Sequence, residues 1–467
     1  MTELDALPPR RAATVLVGLT VGLFGSASSA MIVANTLPAI EADLGADSAA
    51  GSWVVVGSLL AMTVSIPLWG RLADAFDGKR VVQAAFVLFM IGCLGAGLAP
   101  GLGGLIATRA LQGVAMGGIL VSSQAVIARA VPGQRRAAYL GYLGATMSIA
   151  SLCGPLIGGV LVELPGAGWR SAFFVLIPFA LVGLVVVEAA LPRRPGPGGF
   201  RIDAAGIALL ALAVTSLLLL VTFGGVGFAW WSPQGLALGA LGLFGALALV
   251  LVERRVADPV VDLAALAVPA VRWSVVGSVA IGAVMFSAVL YLSQYWQLGR
   301  GVSAAVTGLL VAPLLAATLV ASIVSGHLVA RGPRARAGTM LVGAILLTAG
   351  LAGLATVGLE PPGWLIVAAA SLVGLGMGAL MQTFLLVAQL AVGSERVGRT
   401  TSLVSMLRSL SGAAGVAVLG AVVASLAPGE GYPVAVAVAF GVAAAVSLGA
   451  VVASLVLGRT RDAAQPG

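Results

Sequence analysis

This sequence carries little charge. Charged residues make up 9% of its 467 residues, against roughly 25% in an average soluble domain, so water is not the chain's main solvent. Histidine occurs once, at His327, and cysteine twice, at Cys93 and Cys153, both inside apolar runs. No disulfide framework is implied. No carboxylate lies near the middle of any apolar run: Glu163 and Glu188 fall near run ends, and the other acids are in loops or tails. An enzyme embedded in a membrane needs His, Asp, Glu or Cys clustered at one depth, so no catalytic residue, metal ligand or cofactor is expected. Ten-residue segments alternating apolar and polar residues are missing too, which excludes a membrane β-barrel.

What the chain has instead is 60% hydrophobic residues, in recurring runs of about twenty, each long enough to cross a hydrocarbon core as a helix. The stretch after Arg10 and Arg11 is longer than a signal-peptide core, lacks a cleavage site, and reads as the first span. Six spans are expected near 13–40, 53–69, 81–99, 103–130, 139–163 and 171–191. A Pro/Gly/Arg-rich connector, Pro192 to Arg201, precedes two more at 205–225 and 235–252. Six further spans follow near 273–298, 303–329, 339–358, 364–392, 402–426 and 432–457. The expected fold is an all-α membrane protein of 14 spans, with an N-terminal bundle at 1–191, a connector carrying two extra helices at 192–262, and a C-terminal bundle at 263–467.

The net charge of +8 comes from basic residues scattered in short clusters between the apolar runs, a membrane topology signal and not a nucleic-acid surface. With the N-terminus on the cytoplasmic side, inside loops and tails hold 21 of the 25 Lys and Arg. Arg170 and Arg300 then lie outside, and Arg109 and Arg408 lie within spans. Both termini are expected to be cytoplasmic and the chain to be a multi-pass protein of the cell membrane. The two groups of six also align without gaps. A shift of 261 residues places Leu111, Gly113, Met116 and Gly117 on Leu372, Gly374, Met377 and Gly378, Arg135 on Arg396, Gly154 on Gly415 and Gly159 on Gly420. Such duplication is common in transporters.

Three motifs carry chemistry. After the second span comes Gly70-Arg-Leu-Ala-Asp74-Ala-Phe-Asp-Gly-Lys79-Arg80. Here glycine permits close helix approach, and Asp74 can accept from an arginine or from a facing helix N-terminus. The fourth span carries Arg109-Ala-Leu-Gln112-Gly113, and the fifth carries Gly154-Pro155-Leu-Ile-Gly158-Gly159. In order and placement these resemble the signature motifs of the major facilitator superfamily. Trp53-Val-Val-Val, Trp169-Arg170 with Phe173-Phe174 and Pro178, Glu253-Arg254-Arg255 with Pro259 and Asp262-Leu263, and Arg408 with Gly412 and Gly415 are similar to its fourteen-span drug:proton antiporters. That resemblance implies alternating access, export of drugs or small amphipathic metabolites, and protons as coupling partner.

The sequence departs from the pattern in the first span. Those antiporters carry an aspartate about nine residues before the Leu-Pro that ends it. Leu37-Pro38 is present, but Ser29 stands at the acid's place. Arg109 therefore lacks its usual carboxylate, although an intramembrane arginine costs at least about 2.5 kcal/mol and needs partners. Two readings stand: a packing role, with Gln112 and backbone carbonyls as partners, or a cavity-facing cation that meets an anionic substrate. Arg408 either snorkels or pairs with Asp74. His327 is expected to be a polar cap. Candidate substrate-binding or coupling residues are Ser29, Asn35, Trp53, Ser58, Arg109, Gln112, Gln124, Tyr142, Tyr291, Gln294, Met381 and Gln382. Gly70, Asp74, Arg80, Gly154, Pro155, Gly158, Gly159 and Arg408 are expected to form the conformational latch and packing motifs.

The expected function is secondary active export of a small-molecule substrate by a monomer in contact with membrane lipid. The alternative is a metabolite or lipid transporter of the same fold without the usual proton-coupling acid. Topology is directly testable: a reporter fused after the fourth, sixth or fourteenth span is expected to be cytoplasmic. External labelling of a cysteine introduced at Gly133 would overturn this orientation.

Overall fold

The computed structural model describes residues 7–131, 133–163, 168–194, 196, 198, 203–224, 227–229, 231–256, 259–359 and 361–462. Among them are 14 helices long and apolar enough to cross a membrane. They are α1 (Pro9–Leu44), α2 (Ser48–Ala75), α3 (Gly78–Gly97), α4 (Leu102–Ala130), α5 (Gly133–Glu163), α6 (Ser171–Ala190) and α7 (Ala204–Phe223). The series continues with α8 (Pro233–Glu253), α9 (Pro269–Gln294), α10 (Ala304–Val329), α11 (Pro333–Leu354), α12 (Gly363–Leu390), α13 (Val397–Glu430) and α14 (Tyr432–Asp462). Arg201, counted above among the inside residues, lies outside the described residues, as do the side chains of Glu163 and Arg461.

Helix ends carry local signals. Asp47 caps α2 by accepting from Ala50 N at 2.7 Å, and Asp77 accepts from Lys79 N at 3.0 Å at the start of α3. Ser232 and Ser303 cap α8 and α10 in the same way. Gly45, at φ 62°, turns the chain out of α1 while Ala46 N donates to Glu41 O at 3.0 Å. Within α6 the helix breaks between Phe174 and Ile177, where Pro178 has no N–H to continue the ladder.

Several helices exceed their apolar windows. α1 has 36 residues, about 54 Å at 1.5 Å per residue, and α13 runs over Val397–Glu430 where 402–426 was expected. α5 begins at Gly133 rather than near 139. Hydropathy marks only the part of a helix that lies in hydrocarbon; the backbone ladder continues into the polar turns that follow. α9 ends in a π-helical turn, Tyr295–Gly299.

By internal packing the chain divides into two units. Unit 1 comprises Met1–Tyr139, Thr146–Asp203 and Val392–Ser402, and unit 2 comprises Leu140–Ala145, Ala204–Ala391 and Leu403–Gly467. In unit 1, α4 packs on both α2 and α3, and α1 packs on α6. In unit 2, α12 packs on α10 and α11, and α14 on α9 and α11.

Glycines set these approaches, and the shift of 261 residues gains physical content from them. Gly113 of α4 faces the Ser58 carbonyl of α2, and Gly374 of α12 faces the Leu314 carbonyl of α10. Gly117 and Gly378 likewise face the Met62 and Thr318 carbonyls. On the other side of each helix, Gly92 sits on the Gln112 backbone and Gly350 on the Val373 backbone; Gln112 and Val373 are 261 apart, and the two glycines 258. Gly154 packs over Met31 of α1, as Gly415 packs over Ala283 of α9. A Cβ at any of these glycines would meet atoms already in place.

Gly113→Val and Gly374→Val are therefore expected to destabilise by similar amounts, about 1–3 kcal/mol each as overpacking. Gly308→Ala, facing open space, is expected to be neutral. Thermal unfolding of the detergent-solubilised chain checks the contrast, and equal effects at all three sites would remove the glycine argument.

Candidate functional site

The polar centre of unit 1 is built around Arg109, whose side chain is wholly enclosed. Its Nε donates to Val54 O at 3.1 Å, Nη1 to Ser29 Oγ at 3.0 Å and to Gln112 Oε1, and Nη2 to Ser58 Oγ at 2.8 Å. The guanidinium lies 6.0 Å from the Phe173 ring centroid. Gln112 in turn donates from Nε2 to Cys93 Sγ at 3.0 Å. Four of the five guanidinium N–H groups are thus satisfied by oxygen dipoles. No carboxylate among the described residues pairs with this cation.

Two sequence expectations meet here. Ser29, standing at the position of the missing acid, is indeed placed against Arg109. The idea of Arg109 as a cation open to a cavity is corrected: its donors are already engaged by α1, α2 and α4, and it has no exposed surface. The signal for Ser29 was its spacing from Leu37-Pro38. The roles of Cys93 and Phe173 gave no such signal.

Asp74, nearly buried at the end of α2, forms a second site in unit 1. Its Oδ1 accepts from Gly398 N and its Oδ2 from Arg399 N, both at 2.8 Å, so the carboxylate sits on the N-terminus of α13. Arg129 pairs with the same carboxylate and also donates to Ala73 O. Gly70, one turn earlier, faces Ser402 and the Gly398 carbonyl, where any side chain would hold α2 away. The suggested pairing of Arg408 with Asp74 is corrected: Asp74 is occupied by Arg129 and two N–H groups, while Arg408 Nη1 approaches Met381 O at 3.5 Å. Arg129 had been read only as a topology signal, because nothing local marks a contact across 55 residues. Arg80 is exposed.

At the other end of unit 1, Asp43 accepts from Trp169 Nε1 at 2.9 Å and from Arg170 Nη1 at 2.8 Å, and Arg170 stacks 4.3 Å over the Trp169 ring. Glu188 is tied to Lys79 and Gln83. Asn35 of α1 donates to Pro155 O at 2.9 Å, and Gly158 packs on Ile32, so the glycine motif of α5 seats on α1. Gly159 lies beside Asn35.

The remaining candidates divide by their surroundings. Trp53 is half-buried on α2 and Gln124 is fully buried on α4. In unit 2, Tyr142 and His327 face each other with Oη and Nε2 3.2 Å apart and rings edge to face. Gln382 is buried on α12, where Gly144 packs against its side chain. Tyr291 belongs to the apolar core of unit 2 and donates to Val416 O at 2.6 Å. Gln294 is held by the Tyr432 hydroxyl at 2.7 Å.

Fourteen helices long and apolar enough to cross a membrane define a polytopic membrane protein. The sequence matches the Major Facilitator Superfamily over residues 19–416, and the chain belongs to that family; it is a transporter, not an enzyme. It is 30% identical over 411 residues to the multidrug transporter protein MdtP of Bacillus subtilis (87% of this chain, 74% of MdtP). It is 32% identical to the uncharacterized transporter Rv1877 of Mycobacterium tuberculosis over 89% of this chain, spanning 60% of that relative's length. The solved structure of the proton:xylose symporter XylE shares the fold, with a TM-score of 0.68, 13% identity, and coverage of 96% of this chain and 95% of that one.

Asp74→Asn keeps an acceptor but loses the charge that holds Arg129 and the two N–H groups; charge-assisted bonds of this kind contribute roughly 1.5–3 kcal/mol each. Transport is expected to fall more steeply than thermal stability if the contact belongs to one conformation of the cycle. Turnover and cysteine accessibility at wild-type levels would reduce it to a packing contact.

Proposed function

We propose that the chain exports drugs or small amphipathic metabolites by alternating access, working as a monomer in the cell membrane with both termini cytoplasmic. The observation that carries the reading is the likeness to MdtP along most of this chain, on fourteen apolar helices. In this reading residues 1–191 and 263–467 act as two six-helix bundles, with 192–262 adding two helices in contact with lipid. The Asp74 contact with the start of α13 then serves as the latch of one state. Trp53, Gln124, Tyr142 and Gln382 supply polar and aromatic surface to the substrate path, where aromatic faces adapt to varied ligands.

One observation favours a second reading of the coupling. Arg109 is held by Ser29, Ser58 and Gln112, not by a titratable acid. Transport then proceeds as in a metabolite or lipid carrier of the same fold, without proton exchange at an intramembrane carboxylate.

Proteoliposomes containing the purified chain separate proton-coupled export from this uncoupled reading, with uptake of a fluorescent drug measured with and without an imposed pH gradient. Wild type is expected to respond weakly to the gradient. Ser29→Asp, which sets a carboxylate beside Arg109, is expected to introduce a pH-dependent step. Strong coupling in wild type would overturn the uncoupled reading, and no transport of any drug would overturn export itself.

A further inference from the structure

Two chain segments outside the spanning helices close the same end of unit 1. Helix α2 ends at Ala75 and α4 at Ala130, and the carbonyl of a last helical residue has no partner within its own helix. Both are capped from elsewhere. Gly198 N of the connector donates to Ala75 O at 3.0 Å, and Leu7 N, ahead of α1, donates to Ala130 O at 3.1 Å. In each helix the residue just before the capped carbonyl belongs to the contact with α13: Asp74 precedes Ala75, and Arg129 precedes Ala130. The two caps therefore hold the backbone turns that carry the ion pair of Asp74 with Arg129.

Dense side-chain packing does not fix these turns. A cavity of about 490 Å³ lies among them, lined by Leu7, Asp74, Arg129, Leu191, Gly196 and Glu395 among others. The connector meanwhile comes so near α2 that only glycine fits. A Cβ on Gly196 would collide with Ala75 O and stand 2.7 Å from the carbonyl carbon of Phe76, and backbone atoms have no rotamer by which to withdraw. Gly198 adopts a φ of 74°, the left-handed region that glycine enters without steric cost.

We propose that the connector at Gly196 and Gly198 and the segment at Leu7 are paired straps that set the strength of the contact between Asp74 and the start of α13. With both caps in place the last turns of α2 and α4 are fixed, and the carboxylate stays aimed at Gly398 N and Arg399 N. When a cap is released, that turn frays as uncapped helix ends do, and the carboxylate loses its aim. The straps rest on the latch reading for their role in transport, and on the two caps alone for their role in holding the contact.

The test uses the full chain in lipid nanodiscs, open to reagent from both faces, with Ser402→Cys as reporter. Ser402 is 2% exposed and faces Gly70 across the contact of α2 with α13, so a thiol there reacts with a maleimide only when that contact opens. Gly196→Ala displaces one strap, and Leu7→Pro removes the donor of the other just ahead of Pro8 and Pro9. Each is expected to raise the labelling rate about fivefold, the scale of one net hydrogen bond, while Gly308→Ala leaves it unchanged. Asp74→Asn is expected to raise it as well, and Gly196→Ala added to Asp74→Asn to raise it further by less than about twofold, because both act on one contact. Leu7→Pro lies outside every helix and decides alone if Gly196→Ala fails to fold. Wild-type labelling in the strap variants, or equal labelling of the fully buried Cys93, which would mean general loosening, would overturn the straps. Faster labelling with unchanged transport would leave the straps standing and overturn the latch reading. Transport lost in Asp74→Asn, with strap variants labelled at the wild-type rate, would do the reverse.

Discussion

Hydrocarbon offers no hydrogen bonds. Every backbone group and every buried charge of this chain must therefore find its partner within the chain. Helices meet the first demand, so fourteen of them account for nearly all the described residues. Serine and threonine meet it locally: Ser58 returns a bond to Val55 O, and Ser122 to Gly118 O. Charge is harder to accommodate. The structure places Asp43, Asp74 and Glu188 at or near helix ends and Arg109 in an enclosure of oxygen dipoles.

Close approach of helix backbones follows from the same constraint. Without a hydrophobic drive between helices, association rests on van der Waals contact, and glycine supplies it in both halves, with Gly113 and Gly117 matched by Gly374 and Gly378, and Gly92 answered by Gly350 three residues off the register. The scaffold is thus repeated while its chemistry is not. Arg109 and its serines sit on one copy, and Arg408 on the other.

Much of this was legible in the sequence because the bilayer writes in long words. Runs of about twenty apolar residues give the number of helices directly, and an arginine inside such a run announces itself by its cost. The position of Ser29 could be found by spacing. The ends of α1, α5 and α13 were not legible, since a helix persists after hydropathy falls. Nor does sequence separate a polar side chain that bonds inside a bundle, as Tyr291 does with Val416 O, from one that lines a path. The partnership of Arg129 with Asp74 depends on two helix ends meeting, and no short-range pattern encodes it.

The hairpin of α7 and α8 stands apart. These helices face each other through Gly242 against Leu217 and Gly245 against Ala213, and they are the two least enclosed of the fourteen. Their outward residues, such as Leu243, Phe244, Leu247 and Leu251, need only be oily. Any aliphatic side chain serves on such a surface, so exchanging one for another there costs little packing energy. The glycine-paved α4 and α12, by contrast, admit almost no change without moving a neighbour.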